Sequence, residues 1–281
     1  MNISDALSLA SIVFAENEIS NAHRESASLL CFILNTDRTF LIAHSEYELS
    51  VEEQSRYIAV VHRRAKREPF QYIVGTQEFF GLNFKVSNDV LIPRPETEVL
   101  VTKVIDRFQH CETLEFLEIG VGSGCITISV LKNISTASAV ATDISGAAIA
   151  IAKQNAVKHA VENRVKFLAG DLFSPIKAVR FDAILSNPPY VPARDIPRLQ
   201  PEVRDHEPYS ALTDGSSGIE LIEQIVLTSP KYLRRRGFIA IEIGFNQADA
   251  VKCMFDPSIW ENVKVIPDLR GIDRVFIANL G

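Results

Sequence analysis

Leu117-Glu118-Ile119-Gly120-Val121-Gly122-Ser123-Gly124-Cys125 sets three glycines at alternate positions directly behind an apolar run, and the fold follows from how it is read. Leu114–Ile119 reads as a strand. A turn that dense in glycine lets the chain leave such a strand tightly and start a helix. Strand, glycine turn and helix together open a parallel α/β sheet. Further strands are predicted at 139–143, 165–168, 181–186, 238–243, 263–266 and 274–280, with helical stretches such as 147–159 and 218–233 between them. The last two strands are joined only by 267–271, too short for a parallel crossover, so they are expected to form an antiparallel hairpin at the sheet edge.

Open sheets of this kind bind ligands at the carboxyl ends of their strands, close to the point where strand order reverses. A dinucleotide fingerprint would want its third glycine at position 125, where Cys125 stands, and no Gly-Lys-Ser/Thr follows to make a phosphate loop. Two acidic residues point elsewhere. Asp143 ends the second strand, 23 residues after Gly120, where a carboxylate can accept from both ribose hydroxyls. Asp171, in Gly170-Asp171-Leu172-Phe173, follows the third strand and is placed to receive an adenine amino group, with Leu172 against the ring. Either Asp alone reads as a strand-end turn residue; behind successive strands they favour an adenosine-type ligand.

Ser186-Asn187-Pro188-Pro189-Tyr190 follows the fourth strand of this region. Consecutive prolines fix the backbone and remove two N–H donors, leaving carbonyls free to accept. The Asn187 side-chain oxygen and the Pro188 carbonyl can then take both hydrogens of a planar –NH2 group, with Tyr190 supplying an aromatic face. Held so, a conjugated nitrogen aims its lone pair at an electrophilic methyl group. This is catalysis by positioning and electrostatics, and no base is needed before attack. Asn-Pro-Pro is also a plain turn, but here it lies beside the glycine loop.

Outward from this centre, the first seventy residues read as helical. Ser50 and Glu53 form a capping box, Tyr57, Ile58 and Val61 keep helical spacing, and Pro69 stops the run. The basic stretch from His62 to Arg67 reads as cations at a helix C-terminus or as a contact for RNA or an acidic protein surface. Alternation of Phe80, Leu82, Phe84 and Val86, a turn at 87–89 and Val90-Leu91-Ile92 predict a linking β-hairpin over 75–95. Arg234-Arg235-Arg236 reads as a solvated helix end.

The whole chain has 281 residues, 29 Lys plus Arg against 35 Asp plus Glu, and a formal charge of −6, which withholds the usual electrostatic argument for nucleic-acid binding. The four cysteines are scattered and read as reduced thiols; the six histidines cluster nowhere, so no metal site is expected. With no long apolar run and no basic, apolar leader, a cytoplasmic, membrane-free protein is expected.

On these residues the chain resembles the class I S-adenosylmethionine-dependent methyltransferases, and within them the protein-(glutamine-N5) methyltransferases of peptide chain release factors. The specific pieces are Pro69-Phe70-Gln71-Tyr72-Ile73-Val74-Gly75, Phe79-Phe80-Gly81, Leu91-Ile92-Pro93-Arg94-Pro95-Glu96-Thr97-Glu98, the glycine loop and Asn187–Tyr190. The resemblance implies a helical substrate-recognition domain over 1–74, the hairpin, and a methyltransferase domain over 96–281. That domain would hold a seven-stranded, mostly parallel Rossmann-like sheet with an antiparallel last strand. It implies S-adenosylmethionine contacts at Gly120, Val121, Gly122, Ser123, Gly124, Asp143, Leu172 and Asn187, beside the Asp171 read above. Catalytic and substrate contacts fall at Asn187, Pro188, Pro189 and Tyr190. Glu118 stands where Asp is usual, and Leu172 where a larger aromatic often stacks. The expected partner is a release factor met by a monomer. An N6-adenine methyltransferase of DNA or RNA shares the acceptor motif, but would want a basic base-flipping surface. A mere S-adenosylmethionine-binding module would not need the motif.

Overall fold

In the computed structural model, which describes residues 1–177 and 179–281, strands β1 (Thr76–Phe79) and β2 (Leu82–Lys85) form a hairpin. Seven more strands build one sheet: β3 (Leu114–Ile119), β4 (Ala137–Asp143), β5 (Val165–Ala169), β6 (Phe181–Ser186), β7 (Leu233–Glu242), β8 (Trp260–Pro267) and β9 (Asp273–Leu280). Their order is β5-β4-β3-β6-β7-β9-β8. Strand β9 runs antiparallel to β7 and β8, while the pairs from β5 to β7 are parallel. The glycine stretch therefore sits where the expected fold class puts it, between β3 and a helix.

Strand β3 is buried on both faces, and of its six residues only Glu115 is exposed. Phe116 packs on one side with Leu100, Val101 and Val104 of α6, the helix Glu98–Phe108, and with Phe79 and Phe84 of the hairpin. Leu117 and Ile119 pack on the other with Ile222, Ile225 and Val226 of the helix Glu220–Thr228. Burying each of these side chains contributes roughly 1.5–3 kcal/mol.

Three details depart from the sequence pattern. The hairpin turns at Phe80-Gly81, both with positive φ (51° and 72°), and residues 90–92 lie outside any strand. A two-residue turn leaves the period-2 parity intact, so alternation runs through it unseen. The arginine run opens β7 instead of ending a helix, with Arg234 paired to Asp182 at 2.7 Å and to Glu115. The preceding helix stops at Thr228, because Pro230 cannot donate to the helical ladder.

The chain divides into two units: Met1–Gly75 with Gln200–His206, and Thr76–Leu199 with Glu207–Gly281. The first is helical, with α1 (Ile3–Glu16), α2 (Ala22–Leu34), α3 (Arg38–Ala43), α4 (Val51–Ala65) and α5 (Phe70–Val74) around Phe14, Leu29, Leu30 and Tyr57. The Ser50–Glu53 capping box is formed reciprocally at 3.2 and 2.7 Å. The basic stretch is committed within its own unit. Arg64, with a side chain only 6% exposed, pairs with Glu25 at 2.5 Å and Glu202 at 2.9 Å, and Arg67 reaches Glu202 at 2.7 Å. These arginines hold the Glu202 carboxyl below the usual carboxylate range, against the opposing effect of burial.

Arg64→Ala would strand Glu25 and leave Glu202 with Arg67 alone. It is expected to destabilise this unit by about 2–3 kcal/mol, less than a wholly buried pair because Glu25 and Glu202 keep some water. Urea denaturation followed by circular dichroism measures the loss.

Candidate active site

The site grows from one parallel register. Ile119, the last residue of β3, pairs with Ser186, the last of β6, and Ser186 Oγ donates to the Ile119 carbonyl at 2.8 Å. The glycine loop and the Asn187–Tyr190 loop therefore leave the sheet side by side, at the point where strand order reverses. Gly120, Gly122 and Gly124 all have positive φ, at 76°, 51° and 84°. A Cβ on Gly122 would meet nothing within 4 Å, and one on Gly120 would meet only the Asn187 carbonyl at 4.0 Å. Gly124 serves packing instead: its Cβ would lie 2.9 Å from Ile128 Cδ1.

A cavity of about 310 Å³ opens here, at the lower end of the range typical of small-molecule sites. Of the residues singled out from sequence, Gly120, Val121, Gly122, Ser123, Asp143, Asp171, Leu172, Asn187, Pro188 and Pro189 line it. Gly124 and Tyr190 do not; they stand behind the wall. Asp143 ends β4 with Oδ2 accepting from Gly122 N and Oδ1 from Ser145 N, both at 2.9 Å, which fixes the carboxyl at the cavity edge. Burial pushes its pKa up, opposed by those backbone donors. Glu118 is buried, accepts from Thr127 N at 2.9 Å and from the Thr127 hydroxyl, and burial pushes it up to about 8.

The acceptor loop is fastened from behind. Asn187 Nδ2 donates to Thr97 Oγ1 at 3.1 Å, which leaves Asn187 Oδ1 as the open acceptor. The Tyr190 ring packs into the core and its hydroxyl donates to Glu242 Oε1 at 3.2 Å. Gln247 Nε2 donates to the Tyr190 carbonyl at 2.8 Å and the Gly218 carbonyl at 3.2 Å, while its Oε1 accepts from Gly244 N at 2.7 Å. Gly218 is obligatory: a Cβ there would lie 2.3 Å from the Tyr190 carbonyl.

Sequence reasoning did not single out Ile144, Glu207, Glu242 or Gln247; Thr97 belongs to the Arg94–Glu98 segment, which the sequence suggests as a wall of the pocket, and Arg94 and Thr97 do line it. Ile144 lines the cavity next to Asp143 although 69% exposed, an apolar surface with no core to join. Glu207 accepts from Arg94 and from Ile92 N, anchoring the segment whose Pro93, Arg94 and Thr97 form another wall. Glu242 could have been noticed as a lone charge inside the apolar run 238–243. Among the described residues, no three His, Cys, Asp or Glu side chains gather to hold a metal ion, and no helix is long and apolar enough to cross a membrane.

Comparison with known proteins places this geometry. Residues 5–75 match the family described as the PrmC N-terminal domain, and residues 95–199 match the methyltransferase small domain. A release factor glutamine methyltransferase of Geobacter sulfurreducens is 43% identical over 95% of this chain and 93% of its own. Its counterpart in Moorella thermoacetica is 37% identical over 99% and 98%. Among solved structures, a methyltransferase from Pyrococcus furiosus superposes with TM-score 0.55 at 18% identity, over 83% of this chain and all of that one. The hMettl16 catalytic domain in complex with MAT2A 3′UTR hairpin 6 gives 0.59 at 16% identity, over 87% and 92%. At those identities the structures speak for the fold alone.

Gly124→Ala combines a left-handed backbone with a steric clash, whereas Gly122→Ala meets open space and carries only the backbone cost of about 1–2 kcal/mol. Thermal denaturation is expected to rank Gly124→Ala as the more destabilised of the two. Equal losses would mean that the packing of Ile128 against the loop is not limiting.

Proposed function

The chain belongs to the release factor glutamine methyltransferase family, and from that premise we propose how its residues divide the work. It is an S-adenosylmethionine-dependent enzyme that methylates the side-chain amide nitrogen of a glutamine in peptide chain release factors. When bound, S-adenosylmethionine supplies an electrophilic methyl group.

The cavity suits that cofactor. Gly120 and Gly122 border it with main chain only, so a ligand can come within contact distance of the backbone. In this reading Asp143, already oriented by two N–H groups, accepts from the ribose hydroxyls. Ile144 and Leu172 flank the base, Asp171 receives its amino group, and the turn at Val121 and Ser123 borders the remainder, with Gly124 supporting the loop from below.

Asn187 carries the chemistry of positioning. Its Oδ1 accepts one hydrogen of the glutamine amide and the Pro188 carbonyl accepts the other, while Pro189 keeps the turn rigid and Tyr190 anchors it. An amide nitrogen is a poor nucleophile because its lone pair is conjugated with the carbonyl. Two acceptors favour the pyramidal, positively charged nitrogen that forms as the methyl arrives, and alignment can supply an effective molarity of about 10⁵ M or more. The proton leaves afterwards. The observation that supports this reading is the hydrogen bond from Asn187 Nδ2 to Thr97, with Asn187 Oδ1 as the end left to accept.

The helical unit is proposed to recognise the release factor. Support for a protein rather than a nucleic-acid substrate comes from the net charge of −6 and from the pairing of Arg63, Arg64 and Arg67 with carboxylates of their own unit.

Two variants separate binding from chemistry. Asp143→Ala should weaken S-adenosylmethionine binding by roughly 1.5–3 kcal/mol per lost charge-assisted hydrogen bond, measured by calorimetry. Asn187→Ala should lower single-turnover methyl transfer by about a hundredfold or more while cofactor affinity changes little. With radiolabelled cofactor, the label should appear on release factor and on neither duplex DNA nor ribosomal RNA; label on nucleic acid alone would reverse the substrate assignment.

A further inference from the structure

Pro188 and Pro189 leave the acceptor loop without a main-chain N–H at either position with which to hold itself. Their rings fix φ but not ψ, and rotation about ψ is what aims the Pro188 carbonyl. Its direction therefore has to be set from the two ends of the loop. The upstream end is pinned one residue before Asn187, by the Ser186 hydroxyl on the Ile119 carbonyl at 2.8 Å. The downstream end is Tyr190, and its main chain is held by Gln247, a side chain that the mechanism above does not use.

Gln247 is buried and stands directly before the short helix Ala248–Lys252. One Nε2 hydrogen goes to the Tyr190 carbonyl at 2.8 Å and the other to the Gly218 carbonyl at 3.2 Å, while Oε1 accepts from Gly244 N at 2.7 Å. A turned-over amide would set its oxygen against two carbonyls and its –NH2 against an N–H, so the side chain has one orientation. The packing around it is close. A Cβ on Gly244 would lie 2.9 Å from Gln247 Oε1 and 3.0 Å from Tyr190 Cδ2. The next main-chain donor, Val191 N, is given to the Leu212 carbonyl at 2.8 Å, which holds the chain as it leaves the loop.

Resting on the reading of the Pro188 carbonyl as an acceptor for the glutamine amide, we propose that Gln247 is a positioning residue for methyl transfer: by holding the Tyr190 carbonyl it fixes where the Pro188 carbonyl points. Gln247 does not line the cavity, so it acts through the loop and not on the ligands. Its effect falls on the transition state. Hydrogen bonds to the acceptor nitrogen strengthen as that nitrogen becomes cationic, so a carbonyl swung out of line costs more there than in the bound ground state.

The test uses full-length enzyme with release factor as acceptor, at a temperature where circular dichroism shows each variant folded, so that lost stability alone does not register. Gln247→Met keeps an unbranched side chain of similar length and removes both donors. Single-turnover methyl transfer at saturating release factor is expected to fall about tenfold or more, while the KM for release factor and the S-adenosylmethionine Kd stay within about twofold. Gln247→Glu sets a carboxyl against the same two carbonyls and should show the same split. Gly244→Ala reaches the anchor by another route, pressing on Gln247 Oε1 and the Tyr190 ring, and should lower the single-turnover rate with a smaller loss.

Unchanged single-turnover rates in folded Gln247→Met, or in Gly244→Ala should the first variant not fold, would overturn the proposal while leaving the Asn187 assignment intact. A KM or Kd that worsens as much as the rate would make Gln247 a structural residue and overturn it equally. If Asn187→Ala itself weakened cofactor binding as much as turnover, the underlying reading of the clamp would fail, and this inference with it.

Discussion

Parallel pairing of β3 with β6 sets every distance that matters in the site. Because the strands are in register at Ile119 and Ser186, the two loops that follow emerge from adjacent positions, pinned by the Ser186 hydroxyl on the Ile119 carbonyl. A one-residue slip would turn Ser186 to the opposite face of the sheet and carry Asn187 with it. That register is held by apolar side chains alternating between two cores, with Ala183 and Leu185 in one and Ile184 in the other. Packing far from the cavity is thus what fixes the placing of the Asn187–Tyr190 loop.

Much of this was legible in residues 114–190. Apolar runs buried on both faces mark strands, three glycines mark a turn with positive φ, and two prolines mark a loop whose carbonyls are free. What stayed hidden has a common cause. Thr97 meets Asn187 across 90 residues of chain, and Glu242 meets Tyr190 across 52, so no local window contains the contact. Glu242 was visible only as an anomaly, a charge in an apolar run, and an anomaly does not name its partner. The hairpin turn at Phe80-Gly81 was hidden differently, since alternation carries no information about a turn that preserves parity. Tyr190 was legible as part of the motif, yet the ring faces the core rather than the cavity.

Three carboxyls gather at the carboxyl ends of parallel strands: Glu118 on β3, Asp143 on β4 and Glu242 on β7. Burial raises all three, Glu118 to about 8 and Glu242 to about 7. A carboxyl whose pKa is raised on folding contributes stability that is present below its unfolded pKa and is lost as pH climbs through the folded value. For Glu242 and Glu118 that loss spans the interval from about 4.5 to about 7 and about 8. The fold tolerates the ionised forms by giving Asp143 and Glu118 backbone N–H donors, and Glu242 the Tyr190 hydroxyl. Glu118 and Asp143 line the cavity, whereas Glu242 does not.

The seven residues Gln200–His206 have a consequence for how this protein could have been assembled or recombined. They belong to the helical unit although the sequence around them belongs to the other, and they bring Glu202 to Arg64 and Arg67. No single cut in the chain therefore separates the two units. A gene fragment ending at residue 75 would encode helices whose buried arginine lacks one of its two carboxylate partners. A graft of a foreign helical unit would import an arginine, or lose one, opposite a glutamate that stays behind in the recipient. Exchange of the helical unit between relatives is consequently a two-site event, in which residue 202 has to travel with the helices it serves.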